Sequence, residues 1–210
     1  MNHREYDFIS PVLPEINKNL LLFRELVMCG SILSGIAHMA FCVLFYIDGV
    51  NILAAFNLFS IMCYAVTFLL VKRHHVTAGL MVITAEVALH AVLATVMVGW
   101  ESSFYIYIIL VLPLVILNRL DWWPCKMPVV ILMIAIYMWL DIRYRGAAPP
   151  YLLNPAAVAF LCRFNVLTFM AFLVVMTAMH LRLSLQGEQV LQDLVVTDPL
   201  TGLKNRRSIM

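Results

Sequence analysis

Charge is scarce in this sequence. Only 12% of its 210 residues are Asp, Glu, Lys or Arg, about half the share of an average soluble domain. A cleavable signal is lacking too. Residues 1–20 carry Arg4, Glu5, Asp7, Glu15, Lys18 and two prolines, with no apolar core of the kind a signal peptide needs. Cysteine patterning is absent: Cys29, Cys42, Cys63, Cys125 and Cys162 are odd in number and show no C-x-x-C spacing. Neither a disulfide framework nor a zinc site is therefore expected. What remains is apolar. Hydrophobic residues make up 63% of the chain, and a soluble globule of this size cannot hide that much apolar surface. The composition disfavours a soluble enzyme, a disordered chain, a secreted disulfide scaffold and a nucleic-acid binder. It points to an all-α polytopic membrane protein whose first partner is the lipid bilayer.

Spans of about 20 apolar residues cross a bilayer. Six are legible: Leu26–Ile47, Val50–Val71, Val76–Gly99, a short fourth at Phe104–Asn118 containing Pro113, a shorter fifth at Met127–Leu140, and Ala156–Leu181. Lys and Arg then set the orientation. With the N-terminus in the cytoplasm, the inner segments hold Arg4, Lys18, Arg24, Lys72, Arg73, Arg119, Lys126, Arg182, Lys204, Arg206 and Arg207, and the outer loops hold only Arg143 and Arg145. Both termini are expected in the cytoplasm. Trp100, Tyr105 and Tyr151 near outer ends, and Trp122 and Trp123 near an inner end, read as interfacial belts. The expected organisation is a cytoplasmic segment 1–25, a six-helix membrane domain 26–181, a cytoplasmic signalling helix 182–197 and a distinct segment 198–210. In 182–197, Leu183, Val190, Leu191, Leu194 and Val195 recur at helical spacing, which permits pairing with a second copy, although Gln186 and Gly187 weaken the seam.

Ionisable and strongly polar groups inside spans are expensive, and they mark bundle interiors or cavities. Six stand out: His38, Asn57, Glu86, His90, Arg163 and Asn165. Glu86 and His90 lie four residues apart and share a helix face. At about 1.5 Å per residue, His38 and His90 lie at similar depth, and Arg163 and Asn57 fall in the same outer half. Three arrangements answer to this. One is a polar-anchored pocket for a small hydrophobic ligand. Another is a b-type haem ligated by His38 and His90, two histidines on different helices at matching depth. The third is structural, with Glu86 paired to Arg163 or His90 and His38 bonded across helices. His74, His75 and His180 read as interfacial residues. A transporter is a more distant alternative, with Pro113 its only sign of a broken helix.

The C-terminal segment reads Asp198-Pro-Leu-Thr-Gly-Leu-Lys-Asn-Arg-Arg207. Asp198-Pro199 ends the preceding helix, Gly202 permits a turn and Asn205 can cap a new helix. This run resembles the opening motif of GGDEF domains, the diguanylate cyclases that condense two GTP into cyclic di-GMP. The residues that carry the resemblance are Asp198, Leu200, Thr201, Gly202, Leu203, Asn205, Arg206 and Arg207. It implies that a signalling helix joins a catalytic domain here, and that the enzyme acts as a homodimer in a bacterial inner membrane. The family's metal-binding and guanine-binding residues would follow the motif, and none lies within residues 1–210. The resemblance thus implies that this chain carries no catalytic residue, with Mg and GTP bound only by the part beyond it. More loosely, Glu86-x-x-x-His90, Gly99-Trp100, Phe104-Tyr105-x-Tyr107 and Pro113-Leu114 resemble six-helix sensor modules that precede cyclases and autoinducer-sensing histidine kinases. That resemblance implies a ligand-sensing dimer.

Overall fold

The computed structural model describes residues 13–117 and 123–196. It is all-helical, with no strand among the described residues. Six helices run in order: α1 Leu13–Ile47, α2 Asn51–Lys72, α3 Val76–Val98, α4 Ile106–Leu117, α5 Trp123–Tyr144 and α6 Pro155–Val196, with a 3-10 turn at Trp100–Ser102. In hydrocarbon no water is on hand to bond an open backbone, so an apolar chain satisfies its N–H and C=O groups within helices.

Five helices are long and apolar enough to cross a membrane: Phe23–Ile47, Asn51–Lys72, Val76–Val98, Lys126–Tyr144 and Pro155–Glu188. The chain is thus a polytopic membrane protein. The expected fourth span is the one that falls short. Helix α4 has 12 residues, about 18 Å of rise, because Ser103, Phe104 and Tyr105 are spent on a turn ahead of it. The fifth span is longer than expected. Helix α5 begins at Trp123 and takes Lys126 and Pro128 into its body. There the Lys126 ammonium is buried and donates to the Ile116 carbonyl, 3.0 Å away, at the end of α4 where carbonyls lack helical partners. Helix α1 starts at Leu13, well before the expected Leu26.

The chain divides into two compact units. The larger is Arg24–Leu173. The other joins residues 1–23 and 174–210, of which parts of α1 and α6 are described. Helix α6 is a single helix of 42 residues that continues from the first unit into the second.

Within Arg24–Leu173, α3 is the central helix. Of its most apolar window 39% is buried, against 11% for α5. It packs on α2, α4 and α5, using small residues (Gly79, Ala88, Ala91 and Ala94) on its buried positions so that backbones approach closely. Two apolar clusters flank it. One joins Phe41 and Phe45 of α1, Leu53 and Ala54 of α2, Ala94 and Val98 of α3, Phe104, and Leu161 of α6. The other joins Ala88 and Ala91 of α3, Trp100, Ile108 and Val111 of α4, and Met133 and Leu140 of α5.

Helix α2 shows the inversion a lipid solvent imposes. Its buried positions include Asn57, Ser60, Tyr64 and Thr67, while Leu58, Phe59, Met62, Val66 and Leu69 face outward. Lipid is as apolar as Leu, so polar side chains gain most by meeting one another inside. Hydroxyls without a cross-helix partner bond their own helix: Ser60 to the Phe56 carbonyl and Thr95 to the Ala91 carbonyl.

Candidate polar site within the helix bundle

Four of the six expected polar residues meet. His38 of α1 donates from Nδ1 to Asn57 Oδ1 of α2 at 2.7 Å. Asn57 Nδ2 donates to the Leu53 carbonyl, also at 2.7 Å. That second bond fixes Asn57 Oδ1 as the acceptor, so His38 Nδ1 must carry a hydrogen. His38 Nε2 then faces Glu86 Oε1 of α3 at 3.8 Å. The Tyr64 hydroxyl of α2 donates to Glu86 Oε2 at 2.7 Å. Helices α1, α2 and α3 are thereby tied through one carboxylate and one imidazole. Glu86 is 1% exposed and Asn57 is fully buried.

Aromatic rings wall this cluster. The His38 ring stacks on Tyr64 with centroids 5.2 Å apart and meets His90 edge to face at 4.7 Å. His90 in turn lies against Phe56 and Phe104. Two buried polar atoms lack a partner there, Glu86 Oε1 and His90 Nε2. Unsatisfied buried groups are costly, and a protein retains few of them.

Asn165 and Arg163 separate. Asn165 is fully buried and acts as a clasp. Its Nδ2 donates to the Ser102 carbonyl at 2.8 Å, and its Oδ1 accepts from the Tyr107 hydroxyl at 3.2 Å. A third bond runs from Ser103 Oγ to Cys162 Sγ at 3.2 Å. Together they fasten α6 to α4 and to the turn ahead of it. Arg163 faces outward and is exposed. Neither it nor His90 is the ion partner of Glu86: Tyr64 and His38 fill that place. The reason is rotation. Residues 163 and 165 lie about 200° apart around a helix at 3.6 residues per turn, so one face cannot hold both.

The turn between α3 and α4 is more buried than its aromatic residues imply. Trp100 is buried, stacks on Tyr105 at 3.7 Å and 11°, and lies beneath the Arg145 guanidinium at 4.9 Å. Arg145 is held by Asp141 at 2.6 Å. This is a packed cap rather than an interfacial belt. Gly99 turns the chain at φ +94°, where an added Cβ would meet Pro149 at 3.2 Å. Tyr151 is exposed, and its N–H reaches the Met97 carbonyl. His74 and His75 are exposed, and the His74 ring accepts from Arg24. His180 is exposed as well.

A haem iron between His38 and His90 does not fit this arrangement. Two axial imidazoles must point their nitrogens at one metal, each about 2 Å away, with the macrocycle between them. Here one ring presents its edge to the face of the other, and His38 spends its nitrogens on Asn57 and Glu86. Among the described residues, no group of three His, Cys, Asp or Glu is arranged to hold a metal ion. Cys29, Cys42, Cys63 and Cys162 are free thiols. The residues carrying the cyclase resemblance, Asp198 to Arg207, lie outside the described residues, as does Trp122.

Tyr64 was not among the six polar residues singled out in the sequence. Its signal is there: Asn57, Ser60, Tyr64, Thr67 and Val71 recur every three or four residues, the spacing of one helix face.

No family model matches the chain, and no curated protein or solved structure matches it.

Proposed function

We propose that this chain is the membrane-embedded, signal-receiving region of a diguanylate cyclase. In this reading Arg24–Leu173 receives the signal through the cluster of His38, Asn57, Tyr64, Glu86 and His90. Helix α6 passes it to a cyclase domain that begins at Asp198. The chain works as a homodimer in a bacterial inner membrane. It crosses the bilayer six times, with the turn before α4 and the residues after it completing the fourth crossing, and both termini are cytoplasmic.

One observation carries the reading. Helix α6 runs unbroken for 42 residues and ends at Val196, two residues before Asp198 of the DPLTGLKNRR run. At about 1.5 Å per residue it is about 63 Å long, twice the hydrocarbon thickness. A rigid rod that starts among buried bundle residues and ends at a catalytic domain's threshold is a means of moving that domain. A ligand shifts such an equilibrium only by its differential affinity for the two states.

The test joins Met1–Met210 in frame to a GGDEF domain and reads cyclic di-GMP. H90F and N57L should each change the output by about 5-fold or more at equal protein level, the lower end of common coupling energies. R163A should leave it unchanged. Equal output from all three variants and the parent would overturn the reading.

A further inference from the structure

We infer that the His38–Glu86 pair is a binding site for one exchangeable proton, held between His38 Nε2 and Glu86 Oε1 in the interior of the helix bundle. The inference concerns the cluster on which the proposed signal-receiving role rests, but it does not depend on any link to a cyclase.

Hydrogen-bond accounting carries it. Asn57 Nδ2 is committed to the Leu53 carbonyl, which leaves Asn57 Oδ1 to accept from His38 Nδ1. If His38 is neutral, its Nε2 therefore holds a lone pair. Glu86 Oε2 accepts from Tyr64, so Oε1 is the free end of the carboxyl group, and it has no donor. Without a further proton, two lone pairs would oppose each other at 3.8 Å in a site with Glu86 1% exposed. With one, either an imidazolium faces a carboxylate or a carboxylic acid O–H faces a neutral imidazole. Both are attractive, and both join α1 to α3. The described groups that face the pair are Asn57, Tyr64 and Cys63 of α2 and His90 of α3, with Tyr107 of α4 beyond Tyr64. None of these five is a permanent cation, so nothing among them takes the proton's place. When the proton leaves to water, the attraction becomes a repulsion and the α1–α3 tie opens.

The test uses the whole chain in lipid nanodiscs. At neutral pH, infrared spectra should show a protonated-carboxyl band that E86Q removes, or nitrogen NMR of labelled histidine should show both His38 nitrogens protonated. Either signature places the proton in the pair. An ionised Glu86 beside a His38 without a hydrogen on Nε2 would overturn the inference. Stability gives a second reading. E86Q can accept from Tyr64 and present an N–H to His38 at every pH. The wild-type unfolding temperature should therefore fall on alkalinisation by more than that of E86Q. Equal falls in the two proteins would also overturn it. If E86Q does not fold, E86D shifts the carboxyl band rather than deleting it, and an unshifted band would count against the pair. Failure of the cyclase reading leaves these spectra unchanged, so the two ideas fail separately.

Discussion

Tyr64 supplies the one hydroxyl that satisfies Glu86 Oε2, over 2.7 Å in a buried site. Its deletion therefore measures what the cluster contributes to the fold. Y64F keeps the ring that stacks on His38 and removes only the donor, leaving a second oxygen of a buried carboxyl group unbonded. A loss of about 1–3 kcal/mol is expected, readable by thermal or denaturant unfolding in nanodiscs. Asn165 offers a parallel case with an internal control. N165L removes the bonds to the Ser102 carbonyl and the Tyr107 hydroxyl and should again cost about 1–3 kcal/mol. R163A, two residues away and exposed, should stay within about 0.5 kcal/mol of the parent. Equal losses at 163 and 165 would mean that the facing of α6 is wrong. This pair also marks how far sequence reaches. Depth in a membrane follows from counting residues, so the convergence of His38, Asn57 and His90 was legible. Rotation about the helix axis does not follow from counting, so Arg163 was grouped with residues it does not face. The partner of Asn165 was invisible for another reason: it is a backbone carbonyl, at Ser102, and no side-chain type announces it.

At the scale of elements, the contact between α2 and α3 rests on a missing side chain. A Cβ on Gly79 would stand 2.7 Å from Val71 Cγ2 and 3.4 Å from Thr67 Cγ2. Val is β-branched and cannot swing away, so the helices would have to part. G79A should cost about 1–3 kcal/mol, as overpacking does, and V71A in the same chain should recover part of that loss. Additive losses in the double variant would show that the two residues do not meet. The boundaries of α4 and α5 show which local signals were hard to weigh. Apolar residues run continuously from Phe104 to Leu117, and hydropathy alone reads a span. The chain instead makes a turn at Ser103 with φ +64°, held by bonds from Ser102 and Ser103, before α4 begins at Ile106. Lys126 looked like a loop cation because it is charged. It lies inside α5 with its stem buried and its ammonium on the Ile116 carbonyl, a placement that long amphipathic side chains permit.

For the molecule as a whole, the membrane class followed from composition, and the helices α1 to α3 and α6 from the length of their apolar runs. The continuity of α6 past Leu181 was expected from the recurrence of Leu183, Val190 and Leu194, and the helix does extend to Val196. The central claim is that this helix carries the state of the bundle to whatever follows Thr197. The measurement that tests it most directly is an insertion series. One, two, three and four alanines are placed between Gly187 and Glu188 of the chain joined to a GGDEF domain, and cyclic di-GMP is read for each. Each inserted residue rotates the distal helix by about 100°. Output should therefore fall and rise with the insertion number and return near the parent value at three to four residues. Output that is flat, or that declines steadily with length, would contradict transmission through α6.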